Sequence, residues 1–121
     1  MENTTKILGD IGEKYVAQML KNKNFTILVQ NYRTRWGEVD LIAQRQDLVV
    51  FVEVKTRKKA YFPISNVVTL RKQRKITRVA QHFIVQNNVV DKVCRFDVAM
   101  VIVDGGSYEI EYIENAFYAK N

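Results

Sequence analysis

The chain has 121 residues, 47% of them hydrophobic and 26% charged, with five glycines and one proline. That is the make-up of one folded domain spanning 1–121, which buries roughly two thirds of its unfolded surface. Its single cysteine, Cys94, excludes an internal disulfide framework and a cysteine-rich zinc site. The net charge of +6 is unevenly placed: Lys55 to Val90 holds nine basic residues and no acidic one, leaving ten basic and thirteen acidic residues elsewhere. A one-sign block of this size implies a polyanionic partner.

The longest apolar run is the six residues Val98 to Val103, far short of the roughly 18 that a membrane span requires. The start of the chain lacks the basic and apolar stretches of a signal peptide. A cytoplasmic protein with no membrane partner is expected.

In chain order, Ile7, Leu8, Ile11, Tyr15, Val16, Met19 and Leu20 recur at helical spacing and predict a first helix. Phe25–Tyr32, Gly37–Gln44 and Leu48–Thr56 are rich in Val, Ile and aromatic residues, with polar breaks between them. They read as a three-strand meander. A polar, basic loop around Lys58–Ser65 leads into a second helical pattern, whose apolar stripe is Ile76, Val79, Ala80, Phe83 and Ile84. Arg71, Lys72, Arg74, Lys75 and Arg78 lie on its other face. Val93–Val103 and Tyr108–Phe117 read as two strands joined by Asp104-Gly105-Gly106-Ser107, whose glycines can take the positive φ of a tight turn. The order αβββαββ specifies an α/β domain with a mixed sheet flanked by helices.

Strand alternation brings specific side chains together. In the third strand Phe51, Glu53 and Lys55 share one face and Val50, Val52 and Val54 the other. In the second, Glu38, Asp40 and Ile42 are sorted from Val39, Leu41 and Ala43. A connection of two residues, Gln46-Asp47, or of four sets Asp40 opposite Glu53 and Glu38 opposite Lys55. Like charges so placed destabilise a sheet unless a cation sits between them. A divalent metal of the Mg²⁺ type takes one or two carboxylates and keeps water and room for a phosphate oxygen. Lys55 could then orient or deprotonate the attacking water and stabilise charge on the phosphorus. On a solvated strand, however, Glu-x-Lys is an ordinary pattern, Glu38 and Lys55 would form a cross-strand ion pair, and Asp40 could cap a turn.

Gly37-Glu38-Val39-Asp40-Leu41-Ile42-Ala43, followed by Phe51-Val52-Glu53-Val54-Lys55-Thr56-Arg57, resembles the motif pair of the bacterial YraN family. Gly9, Gly12-Glu13 and Ala17, Asn31-Tyr32-Arg33, and Arg95-Phe96-Asp97-Val98 extend the resemblance over most of the chain. That family in turn resembles the PD-(D/E)xK nucleases, which have a restriction endonuclease-like fold and include Holliday junction resolvases. The resemblance implies Asp40 and Glu53 as ligands of Mg²⁺ or Mn²⁺, the carbonyl of Val54 as a third ligand, Lys55 as the catalytic lysine and Glu13 as an acid from the first helix. From the residues alone, Glu13 at the margin of the apolar stripe reads as a solvated glutamate in preference to a group reaching a metal-bound water. Asp97, costly to bury unpaired in an apolar strand, reads as structural, bound to Arg95 or a backbone donor.

The basic block supplies Arg57, Lys58, Lys59, Arg71, Lys72, Arg74, Lys75 and Arg78 for a phosphate backbone, with Tyr61 and Phe62 as stacking surfaces. Together these features point to a metal-dependent nuclease acting on DNA, including branched or flapped DNA, with room for a homodimer. The alternative is a non-catalytic DNA- or RNA-binding module with a weak or vestigial metal site. Trp36 could contact nucleic acid or pack, His82 reads as packed, and Cys94 as a small buried hydrophobe.

Overall fold

The structure, a computed structural model, describes residues 4–58 and 68–120. Its elements run α1 (Thr4–Asn22), β1 (Thr26–Thr34), β2 (Gly37–Arg45), β3 (Leu48–Lys58), α2 (Leu70–Gln86), β4 (Val93–Asp104) and β5 (Ser107–Phe117). This is the expected order, with strand ends displaced by one or two residues. Lys59, Tyr61 and Phe62 lie outside the described residues.

The five strands form one sheet in the order β1-β2-β3-β4-β5. All neighbours are antiparallel except β3 and β4, which run parallel and are connected through α2. A parallel pair needs a crossover connection of this length. The sheet centre is apolar on both faces, so each face requires a helix. On one, α2 covers Ile42, Phe51 and Val98 with Ile76, Val79 and Phe83; on the other, α1 covers Leu41, Val50 and Val52 with Val16, Ala17 and Leu20. Fully burying such side chains stabilises by roughly 1.5–3 kcal/mol each.

The β2–β3 connection is the two-residue turn, and pairing runs from Arg45↔Leu48 to Leu41↔Val52, the register expected from alternation. Two local expectations fail. Val39 joins the α2-side cluster with Ile42 instead of sharing the face of Leu41; at its level β2 pairs with β1 alone, Val39 opposite Tyr32, and no longer with β3. Ile7 and Ile11 are 40% and 38% exposed, since α1 turns Gly12, Val16 and Leu20 toward the sheet instead. At Gly12 the helix comes so close that an added Cβ would collide with Thr56 Oγ1, a buried hydroxyl with no hydrogen-bond partner among the described residues. In the β4–β5 turn Gly105 adopts φ 62°, as a tight hairpin requires.

Asp97, fully buried in β4, is structural. It receives two parallel hydrogen bonds from Arg95 at 2.9 Å, one from the Tyr112 hydroxyl at 2.5 Å and one from the Asn115 backbone N–H at 2.9 Å. Burial and the Asp97 charge push the Tyr112 hydroxyl above its ordinary pKa, keeping it a donor. Asp97→Ala takes the acceptor from the Tyr112 hydroxyl and the Asn115 N–H, leaves Arg95 only its longer pair with Glu114 at 3.7 Å, and should lower unfolding free energy by about 3–5 kcal/mol. Chemical denaturation checks this, and a loss under about 1 kcal/mol would mean that the network contributes little.

Candidate functional site

The chain places Glu13, Asp40, Glu53, Val54 and Lys55 around one cavity of about 300 Å³, with Glu38, Lys72 and Lys75 also on its wall. Asp40 and Glu53, 8% and 6% exposed, come from adjacent strands just beyond the last β2–β3 rung. There the Asp40 carboxylate takes over the task of the missing ladder bond: its Oδ2 accepts the Val54 N–H at 2.7 Å. The side chain is thereby fixed against β3, within hydrogen-bonding contact of Glu53.

Two carboxylates so close and so poorly hydrated cannot both ionise freely. Burial, followed by contact with Glu53, raises the Asp40 pKa to about 9, against the opposing effect of the Val54 N–H. Burial also raises Glu13, with Asp10, Glu38 and Glu53 adding repulsion and a side-chain hydrogen bond from Asn31 working the other way. Close packing of Gly12 on Thr56 seats α1 where Glu13 can reach this group from the opposite side of the sheet.

Cations answer the carboxylates. Lys72 of α2 forms an ion pair with Glu53. Burial alone would lower the Lys72 pKa, but the Glu53 charge and hydrogen bond outweigh it and the ammonium is held charged. Lys55, half-buried, is shifted down by burial and then by the adjacent Lys72 ammonium. Val54 engages Asp40 through its N–H, which leaves the carbonyl outside that hydrogen bond.

Glu38 does not pair with Lys55. It binds Arg33 across the β1–β2 hairpin at 2.9 Å, because β2 faces β1, not β3, at this level. Placing Lys72 on the outer basic face, as the sequence pattern does, misses its position in the site. A signal is nonetheless present: Lys72 stands four residues before Ile76 and so on the inward flank of the helix. Asn31, at φ 54°, and Thr56 support Glu13 and α1; both lie within the motifs that carry the family resemblance, but nothing in their spacing assigns them these contacts.

Of the other basic residues, Arg71, Arg74, Lys75 and Arg78 are exposed along α2 and form no ion pair among the described residues. Arg57 is half-buried and donates to the Thr56 carbonyl, while Lys58 is exposed. Trp36 packs against the core with Arg35 stacked on it, the guanidinium carbon 4.8 Å from the ring centre. His82 is packed as expected, its Nδ1 2.7 Å from the Tyr32 hydroxyl. Cys94 is only half-buried, because β4 begins at the rim of the sheet.

Residues 12–101 match the family described as Uncharacterised protein family UPF0102. The chain belongs to this family. It is the one whose motif pair the sequence carries, and the match includes every residue from Glu13 to Asp97. UPF0102 proteins of Alkaliphilus metalliredigens and Alkaliphilus oremlandii are 41% and 45% identical to it, each over 93% of this chain and 99% and 98% of their own. One from Geotalea daltonii is 41% identical over 96% of this chain and 93% of its own. Among solved structures, "Crystal structure of SSO0001" is similar, with a TM-score of 0.42 and 16% identity over 93% of this chain and 52% of that one. The UPF0102 chain thus spans about half of that structure. Among its described residues no helix is long and apolar enough to cross a membrane.

The Asp40 pKa fixes a pH dependence. A free carboxyl titrates near 3.9, so between there and about 9 the folded state binds a proton that the unfolded state has lost, and stability falls as pH rises. In EDTA the melting temperature should fall between pH 6 and pH 9. Asp40→Asn, which keeps an acceptor for Val54, should flatten that slope. Parallel profiles for the two proteins would show that Asp40 titrates normally.

Proposed function

We propose that the chain is a metal-dependent nuclease that hydrolyses phosphodiester bonds in DNA. One observation carries the reading: two buried carboxylates in contact open into a cavity under a helix whose charged residues are all basic. The donor set is all oxygen and suits Mg²⁺ or Mn²⁺, with Asp40, Glu53 and the Val54 carbonyl as the residues to hold it. The ion pair of Lys72 with Glu53 supports positive charge at this point. Bound there, the ion would polarise the phosphodiester and acidify a water. Lys55 is placed to orient that water and to stabilise charge on the phosphorus, and its lowered pKa eases proton transfer. Glu13 approaches from α1 to order the same water. Arg57, Lys58, Lys59, Arg71, Arg74, Lys75 and Arg78 would supply positive charge for the phosphate backbone. Symmetric cutting of a branched structure would require a second copy.

A second reading also has an observation behind it. Among the described residues no group of three or more His, Cys, Asp and Glu is arranged to hold a metal, and Lys72 already neutralises Glu53. Were that arrangement permanent, the chain would bind nucleic acid without cutting it.

Cleavage separates the two. On single-stranded, duplex, flap and four-way DNA with Mg²⁺ or Mn²⁺, the wild type should cut at least one substrate, and Asp40→Asn or Lys55→Ala should slow it about 10²-fold or more. If the wild type cuts nothing that these variants leave intact, the enzyme reading fails. Binding is tested apart from chemistry. Reversing Arg74 and Lys75 to Glu should weaken DNA affinity at low salt and reduce the salt slope by about one for each phosphate no longer neutralised; unchanged affinity would remove α2 as the binding face.

A further inference from the structure

The basic face of α2 does not end where its cations end. Arg71, Lys75, Arg78, His82 and Val85 follow one another at three- and four-residue intervals and so form a single stripe. Three concavities lie along it, each sharing a wall with the next. Lys75 lines both the carboxylate cavity and a second one of about 310 Å³, whose other walls are Arg71, Arg74, Arg78, Trp36 and Lys120. Trp36 and Arg78 in turn line a third, of about 520 Å³, together with Arg35, Gln81, His82 and Gln86. The middle cavity offers cations only, apart from the indole. The far one offers an indole, two guanidiniums, two amides and the side chain of Val85, which is 69% exposed.

We propose that this stripe is a track for one unpaired nucleic-acid strand, with phosphates on the middle cavity and a base stacked at Trp36 in the far one. The inference rests on the nucleic-acid reading above and specifies its substrate class: DNA with a single-stranded arm next to the cutting site. The chemistry changes along the track as a strand requires. Cations meet the backbone, and an aromatic surface ringed by hydrogen-bonding amides meets a base. A duplex keeps its bases stacked on one another, so nothing in it fills an indole-walled cavity. The length also fits. From Lys75 to Gln86 the helix advances about 16 Å at 1.5 Å per residue, room for roughly five nucleotides at the spacing of a stacked strand. The exposed Arg35 guanidinium now lies on the indole at 4.8 Å. An entering base takes its place and frees it for a phosphate.

Trp36 is the only tryptophan in the chain, so tryptophan fluorescence reports on this one indole. In EDTA, where no cutting occurs, a thymidine 12-mer should quench it saturably, while a blunt 12-base-pair duplex should bind with little quenching. Trp36→Ala should weaken single-strand binding by about five- to hundredfold, from the worth of one base stack, and leave duplex binding unchanged. Trp36→Phe, which keeps an aromatic face, should recover most of the loss, and a cooperative melting transition well above the assay temperature would show that each variant folds. Quenching by the duplex as strong as by the single strand, or single-strand affinity indifferent to Trp36→Ala, would overturn the track while leaving the nuclease reading in place. Single-strand quenching in a protein that never cuts would uphold the track and overturn the nuclease. Failure of every oligonucleotide to bind would overturn both.

Discussion

The site depends on the point where β2 stops pairing with β3. Up to Leu41↔Val52 the two strands share an ordinary ladder; just beyond it the Val54 N–H is taken by a side chain, the Asp40 carboxylate. A buried N–H must be satisfied, and here its partner is an acid. That exchange opens the sheet enough to admit a cavity, holds Asp40 rigidly and sets it against Glu53. The resulting electrostatic cost is met from the helix above, where Lys72 supplies charge to Glu53, and by protonation of Asp40 at neutral pH. Remove the divergence and the carboxylates have neither the space nor the contact that perturbs them.

The two helices serve this point differently. α2 brings cations, one inward to Glu53 and several outward to solvent, on a helix whose remaining face is secured by Ile76, Val79, Ala80 and Phe83. α1 brings a further acid, Glu13, and does so from the other face of the sheet. At the opening between β2 and β3, groups from both layers meet around one cavity. Asp97, the other buried acid, shows what a satisfied carboxylate looks like here: four hydrogen bonds, two of them from one arginine fork, leave it nothing to offer a ligand.

Much of this was legible in the sequence because it depends on short periods. Alternation in Gly37–Gln44 and Leu48–Thr56, with only Gln46-Asp47 in the turn, determined the register and hence the meeting of Asp40 with Glu53. Alternation put Val39 on the face of Leu41 and was wrong there, because it presumes pairing on both edges and β2 has lost β3 beyond Leu41. Helical spacing found the inward stripe of α2 but not Lys72, whose membership of a basic run masked its position one turn before Ile76. The contacts that escaped altogether join distant segments. Arg35, Trp36 and His82 converge from a hairpin turn and a helix, and Asn31 reaches Glu13 from β1. No local pattern carries such information.

The packing of Gly12 on Thr56 has a mechanical meaning. Thr56 Oγ1 has no hydrogen-bond partner among the described residues, so it does not draw α1 toward β3. The helix comes to rest where its own backbone meets the strand, with the thickness of one missing methyl group as the gauge. The reach of Glu13 into the cavity is therefore set by a hard stop and not by an attraction. It is insensitive to salt and pH in a way that the ion pairs around it are not.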